Sequence, residues 1–192
     1  NDPLWIGVKA EDEWGNPAVD YTGTLTLESS RDLSGLPASY TFTQADQGVH
    51  RFEGVHCAGA GKYRLAVRSK DGLEGESNAI VCVAQTETYR PYWGDLHGQS
   101  EETVGTNSVD DYFTFARDVA LLDFAGHQGN DFQITAEFWD EIGRCARQFY
   151  DPGRFVVFPG YEWSATTPAG GDRNVYYLHD GEQISRTSHW QV

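Results

Sequence analysis

The stretch Tyr92-Trp93-Gly94-Asp95-Leu96-His97-Gly98-Gln99-Ser100 decides how this chain is read, because it sets an aspartate, a histidine and a third polar group just past a short apolar strand. Strand ends are where open and barrel α/β folds carry their chemistry. The layout returns twice: Val119 to Ala125 reads as a buried strand followed by His127, and Phe155 to Pro159 as another followed by Glu162. The steps from His97 to His127 and on to Glu162, thirty and thirty-five residues, each match about one βα repeat. A lone histidine after a strand is ordinarily a hydrogen-bonded surface or core residue. Three polar groups at a βα period point to one rim.

Working outward, the grammar from Thr88 onward alternates strand and helix, which predicts parallel strands joined by helical crossovers. Ser108 is placed to cap a helix with Asp110 and Asp111 in its first turn, and Thr135 a second one whose apolar face is Phe138, Ile142, Cys145 and Phe149. Cys145 is thereby read as core packing. A fourth strand, Val175-Tyr176-Tyr177-Leu178, ends at His179. Before the linker Gln85 to Pro91, short alternating runs are punctuated by Gly15-Asn16-Pro17, Ser34-Gly35-Leu36-Pro37 and Lys70-Asp71-Gly72. The expected fold is two domains: an immunoglobulin-like β-sandwich over 1–86 and an α/β part over 87–192. Concentrated chemistry, including any convergence of histidine and carboxylate, is expected only after residue 92.

The chain has 192 residues, 39% hydrophobic and 14% aromatic, with 29 acidic against 14 basic side chains and a net charge of −15. That balance disfavours binding a nucleic-acid backbone or an anionic membrane. No run approaches the ~20 apolar residues of a membrane span, and Asn1-Asp2-Pro3-Leu4 lacks the character of a signal sequence. The start reads as that of an excised piece, and the expected compartment is the cytoplasm. Cys57, Cys82 and Cys145 form no C-x-x-C pattern; reduced thiols are expected, with a Cys57–Cys82 bridge the alternative if those strands face each other. Nothing in the sequence sets an oligomeric state.

Histidine, carboxylate and an amide oxygen on one rim suit a divalent cation such as manganese, zinc or iron. The candidate ligands are His97, Gln99, His127 and Glu162. Strand alternation would send Asp95 to the face of His97, as a further ligand or as a group orienting the imidazole. Gln99 either coordinates directly or hydrogen-bonds a ligand or substrate. In Gly170-Gly171-Asp172-Arg173-Asn174, Arg173 can hold an anionic group or be salt-bridged in a tight turn. His179 is a lesser candidate, and His50, His56 and His189 read as structural or solvent-exposed. No G-x-S-x-G, Walker-type or dinucleotide fingerprint occurs, so no catalytic nucleophile is named.

Gly94-Asp95-Leu96-His97-Gly98-Gln99-Ser100, Leu122-Asp123-Phe124-Ala125-Gly126-His127 and Phe158-Pro159-Gly160-Tyr161-Glu162-Trp163-Ser164, in that order, resemble successive strand-end motifs of the PHP (polymerase and histidinol phosphatase) superfamily. The likeness is strongest to a branch of uncharacterised bacterial proteins in which Gly-Gly-x-Arg-Asn-Val follows the glutamate, as Gly170 to Val175 does here. It covers about residues 90 to 180. It implies a distorted (β/α)₇ barrel with a multinuclear metal centre that hydrolyses phosphoesters, with His97, His127 and Glu162 among the ligands. Gln99 stands where that pattern has a second histidine, Gly126 where it has an aspartate, and Asp172 where the branch often has histidine. The roughly one hundred residues from 87 to 192 hold about four strands against the ~250 residues of a closed eight-stranded barrel. The second half is therefore expected to be only the first part of a PHP-type barrel, with an open edge after its fourth strand and no competent activity by itself. The leading function is a metal-dependent hydrolase of a small, phosphorylated substrate. The alternative is a binding or scaffold protein without turnover, and hydrolysis of a non-phosphate bond on the same rim is a third reading.

Overall fold

Alternating apolar residues in the first half and capped amphipathic stretches in the second produce two units, Asn1–Arg90 and Pro91–Val192, in a computed structural model that describes residues 2–85, 89–164 and 171–185. The first unit is built from strands β1 (Leu4–Lys9), β2 (Thr24–Ser29), β3 (Leu33–Ser34), β4 (Ser39–Thr41), β5 (Val49–Cys57), β6 (Gly61–Tyr63), β7 (Leu65–Ser69), β8 (Glu74–Glu76) and β9 (Ile80–Cys82). They form three antiparallel sheets, ordered β1-β5-β3, β4-β2-β7-β8 and β6-β9. The period-two pattern explains the packing: in β2, Leu25 and Leu27 are buried while Thr26 and Glu28 face water. Ile6, Leu27, Phe52, Val55 and Leu65 form the core, where emptying the Phe52 position would cost roughly 3–5 kcal/mol. Cys57 and Cys82 are disulfide-bonded with Cα atoms 6.6 Å apart. The expectation of reduced thiols is corrected for that pair, and Cys145 alone is a free, buried cysteine.

The second unit runs β10 (Gly94–Gly98), α1 (Val109–Thr114), a π-type turn over Phe115–Val119, β11 (Phe124–His127), α2 (Ala136–Phe149), β12 (Val156–Val157), β13 (Gly160–Ser164) and β14 (Asp172–Tyr176). Ser108 Oγ accepts from Asp111 N and Thr135 Oγ1 from Phe138 N, so both helices start where hydroxyl capping dictates. Phe138, Ile142, Cys145, Ala146 and Phe149 bury one face of α2 against Phe113, Ala125, Phe155 and Val157. β10, β11 and β12 are parallel neighbours in that order.

Beyond β12 the architecture overturns the expected first half of a PHP-type or TIM-like barrel behind an immunoglobulin-like sandwich. β14 turns back antiparallel on β13, pairing Gly160 with Tyr176 through Ser164 with Asp172, so it does not extend the parallel series. A barrel needs a helical crossover at each step, and among the described residues the unit has two α-helices and no closed barrel. The fourth strand also begins earlier than its apolar run implied, at Asp172, and Leu178 lies outside it, exposed. Val119 to Leu122, expected in a strand, closes α1 instead: Ala120 N donates to Phe115 O and Leu122 N to Ala116 O, with Leu121 in the left-handed region at φ 55°. A leucine there gives none of the glycine signal that usually marks such a helix end.

Candidate functional site

The β13–β14 hairpin is two-faced because its residues alternate. Tyr161, Trp163, Val175 and Tyr177 pack on the core of the unit. Their neighbours Glu162 and Asn174, paired across the strands, lie on the other face. Glu162 is 7% exposed. Its Oε2 accepts from Asn130 Nδ2 at 2.7 Å and Gln99 Nε2 at 3.3 Å, and Asn130 Nδ2 also reaches Ser164 Oγ at 3.0 Å. The backbone of Glu162 is locked against the loop after β11, donating to Gly129 O and accepting from Asp131 N, each at 2.8 Å.

His97 reaches this face because β10 is irregular. Its register on β11 slips between Asp95 and Gly98, and Asp95 Oδ1 accepts from His97 N at 2.9 Å inside the slip, a device that re-aims a side chain. Alternation fails there, so Asp95 does not share the face of His97. Its Oδ2 accepts from Tyr112 OH at 3.2 Å, and Asp95 orients the backbone of His97 rather than the imidazole.

The tautomer of His97 follows from its neighbours. Tyr176 OH donates to Leu96 O at 2.6 Å and accepts from Asn174 Nδ2 at 2.9 Å, which turns Asn174 Oδ1 toward His97 Nδ1, 3.0 Å away. Nδ1–H is therefore the donor, and in the neutral ring Nε2 carries a lone pair. That lone pair faces Glu162 Oε2 at 3.8 Å. Two ligands held at about 2.0–2.2 Å in tetrahedral geometry sit about 3.3–3.6 Å apart, so the gap fits a small cation after a shift of a few tenths of an ångström. Gln99 Oε1 is buried without a hydrogen-bond partner, an orphaned acceptor beside the same carboxylate. A half-turn of that amide would present its oxygen to a cation.

His127, by contrast, is fully buried. Its Nε2 meets Ser100 Oγ at 2.9 Å and its Nδ1 accepts from Gly129 N at 3.3 Å, with Tyr112 and Phe138 against the ring. Burial depresses its pKa to about 4, and both nitrogens are engaged, so His127 is not aimed at the Glu162 face. Arg173 pairs across the hairpin with Trp163, its guanidinium 5.5 Å from that ring, and so lies on the face opposite Glu162. His179 is exposed; Gly170 and His189 lie outside the described residues. The structure thus brings together His97, Gln99 and Glu162, and adds Asn130 and Asn174, which sequence reasoning misses. Asn174 sits inside the quoted glycine-rich stretch, where the charge of Arg173 is the more conspicuous signal.

Titratable groups also converge elsewhere among the described residues. Asp110, Glu141 and Cys145 converge closely enough for a metal ion. Arg144 already fills that position, bonded to Asp110 and, through Nε at 2.8 Å, to Glu141; burial, then Asp110, pushes the Cys145 thiol up to about 12. In the first unit Asp46 Oδ1 accepts from Tyr40 OH at 2.9 Å and pairs with His50 Nδ1 at 2.7 Å. The expectation that histidine and carboxylate meet only after residue 92 is corrected by that pair.

The family described as "Protein of unknown function (DUF3604)" matches over residues 78–190. An uncharacterised protein of Chlamydia trachomatis is 24% identical over 178 residues, 91% of this chain and 28% of that protein. One of Chlamydia pneumoniae is 24% identical over 187 residues, 96% of this chain and 30% of its own length. The chain spans less than a third of the length of these curated relatives. No solved structure matches it.

Proposed function

The chain belongs to the DUF3604 family, and from that premise we propose that it supplies a divalent-cation site to a metal-dependent hydrolase of small phosphoesters. The observation that carries this reading is the pair of lone-pair atoms, His97 Nε2 and Glu162 Oε2, 3.8 Å apart beside the unpartnered Gln99 Oε1. Manganese, zinc or iron suits such a mixed nitrogen and oxygen set. His97 and Glu162 would hold the ion, with Gln99 as a third, neutral ligand. Bound there, the ion would lower the pKa of water and polarise the scissile group. Asn174 fixes the tautomer that leaves Nε2 available, and Asn130 steadies the carboxylate.

A second reading, binding without turnover, draws on one observation: His127 faces the core, which among the described residues leaves His97 as the histidine on the site. Among the described residues no helix is long and apolar enough to cross a membrane. The Cys57–Cys82 bond fits an oxidising compartment better than the cytoplasm.

Calorimetric titration with Zn²⁺ and Mn²⁺ tests the site. The expectation is one ion per chain, with affinity reduced at least tenfold in Glu162→Gln. Equal binding by that variant would overturn the reading. Hydrolysis of a phosphoester panel by a protein with the full length of the relatives then separates turnover from binding.

A further inference from the structure

His127 has no free nitrogen to offer an ion, and the reason lies in a chain of hydrogen bonds each of whose atoms has one role. Gly129 N–H donates to Nδ1 at 3.3 Å, so the neutral ring carries its proton on Nε2. Nε2–H donates to Ser100 Oγ at 2.9 Å, and the Ser100 hydroxyl, its own proton still available, donates to Glu102 Oε2 at 2.6 Å. Ser100 and His127 are both fully buried.

The backbone of Ser100 is equally committed. Its carbonyl accepts from Thr103 N at 3.0 Å and Gly105 N at 2.8 Å, and from Thr103 Oγ1 at 3.2 Å. The turn is drawn so tight that a Cβ on Gly105 would stand 2.4 Å from Gln99 O. Gln99, the residue before this knot, is the one whose amide touches Glu162. The other end of the chain also reaches Glu162: Gly129, whose N–H holds the imidazole, accepts from Glu162 N through its carbonyl at 2.8 Å. A Cβ on Gly129 would lie 2.7 Å from Thr103 Cγ2 and 3.0 Å from His127 Cε1, so loop, imidazole and the backbone beside Glu162 meet around a residue with no side chain.

We propose that His127 is a positioning residue and not a ligand: through Ser100 and Glu102 it latches the turn that carries Gln99, and through Gly129 it fixes the strand that carries Glu162, so that the two are held together. The inference rests on the cation-site reading for its functional meaning, whereas the latch itself is a statement about hydrogen bonds. The low pKa of His127 agrees with a ring that stays neutral. Orienting partners of this kind are worth about 10–100-fold in metal affinity.

The test uses the whole chain with Zn²⁺ as the probe, read by calorimetry and by the ¹⁵N resonances of the histidine rings and the Gln99 side-chain amide. In the wild type, Zn²⁺ should shift His97 Nε2 and leave the His127 Nε2 proton in place; loss of that proton on adding Zn²⁺ would make His127 a ligand and overturn the proposal. Ser100→Ala should displace the Gln99 amide resonances before any metal is added and weaken Zn²⁺ binding about tenfold, and Ser100→Thr, which keeps the hydroxyl, should restore both. Wild-type affinity in Ser100→Ala overturns the proposal. If the wild type binds no Zn²⁺, the cation-site reading falls, and the metal-free spectra still decide the latch: displaced Gln99 resonances in Ser100→Ala support it, unmoved ones refute it. Should Ser100→Ala not fold, the fate of the His127 Nε2 proton in the wild-type Zn²⁺ titration decides the proposal, and Gln99 resonances in Ser100→Thr that match the wild type support the latch.

Discussion

The two units each bring a histidine against a carboxylate, and they do it in opposite ways. In the first, Asp46 gathers Thr43 N at 2.6 Å, Thr43 Oγ1 at 2.8 Å, Tyr40 OH and His50 Nδ1, all within six residues of itself along the chain. In the second, the groups around Glu162 come from β10, the turn after it, the loop after β11 and β14. A cluster closed over a few residues is a folding device, a capped turn whose acceptors are filled by neighbours. A cluster assembled from four distant segments, with one acceptor left over and a histidine nitrogen set against a carboxylate oxygen across 3.8 Å, has no local structural task to explain it. Polar convergence therefore says little by itself; sequence separation and unspent hydrogen-bonding capacity tell the two kinds apart.

Acid should separate the units most strongly. The unfolded value of His127 is near 6.5 and burial lowers the folded value to about 4, so between these limits the unfolded chain binds the extra proton. Stability from the neutral ring is complete above about pH 6.5 and is lost as pH falls toward 4, by about 3 kcal/mol if the whole shift is expressed. In Asp46, burial alone would raise the carboxyl, but the bonds from Thr43, His50 and Tyr40 outweigh it and bring it down to about 2. Its contribution is present above about pH 4 and is lost as pH falls toward 2. Amide exchange followed separately in each unit should show the second loosening first on acidification. Simultaneous loosening would erase the distinction.

Asp46→Asn should cost the first unit about 2 kcal/mol at neutral pH and remove its step below pH 4, with Zn²⁺ affinity unchanged. A fall in Zn²⁺ affinity would mean that the local cluster is not merely structural. Asn174→Ala should do the reverse, weakening Zn²⁺ about tenfold by freeing the His97 tautomer while moving denaturant stability by less than ~0.5 kcal/mol. The smallest effect belongs to Arg173→Ala. With its guanidinium stacked on Trp163 away from Glu162, it should change stability by about 0.5–1 kcal/mol and leave Zn²⁺ binding as it was; a loss of binding would move Arg173 onto the site.

What the sequence made legible is what depends on near neighbours. Ser108 and Thr135 cap their helices because hydroxyl capping needs only three residues of context, and the buried face of α2 follows from its period. The turn at Leu121 was illegible because leucine carries no left-handed signal. The register slip in β10 reversed the reading of Asp95, since no residue type announces it. Val175 to Leu178 looked like another parallel strand because apolar content does not encode direction; whether a strand turns back is settled by the connection before it. Asn130 and Asn174 stayed hidden because carboxamides carry no charge and serve equally in any turn. His127 had the right type and spacing, but whether a histidine faces the rim or the core depends on Ser100 and Gly129, whose part in the matter is invisible until the chain has folded.

The bond between Cys57 and Cys82 acts on a state in which none of these contacts exists. Closing a loop across 25 positions removes from the unfolded chain the conformations in which those ends lie far apart, an entropic handicap of about 3.5 kcal/mol in the simplest polymer estimate. The first unit has three small sheets around a modest core, in which Leu25, Phe42 and Tyr63 are buried besides the cluster of Ile6, Leu27, Phe52, Val55 and Leu65, and part of its order comes from the poverty of the alternative. Reduction would leave every strand pairing of the native unit available while giving the denatured chain back its freedom. The second unit contains no part of that loop, and its helices and hairpin are fastened by packing.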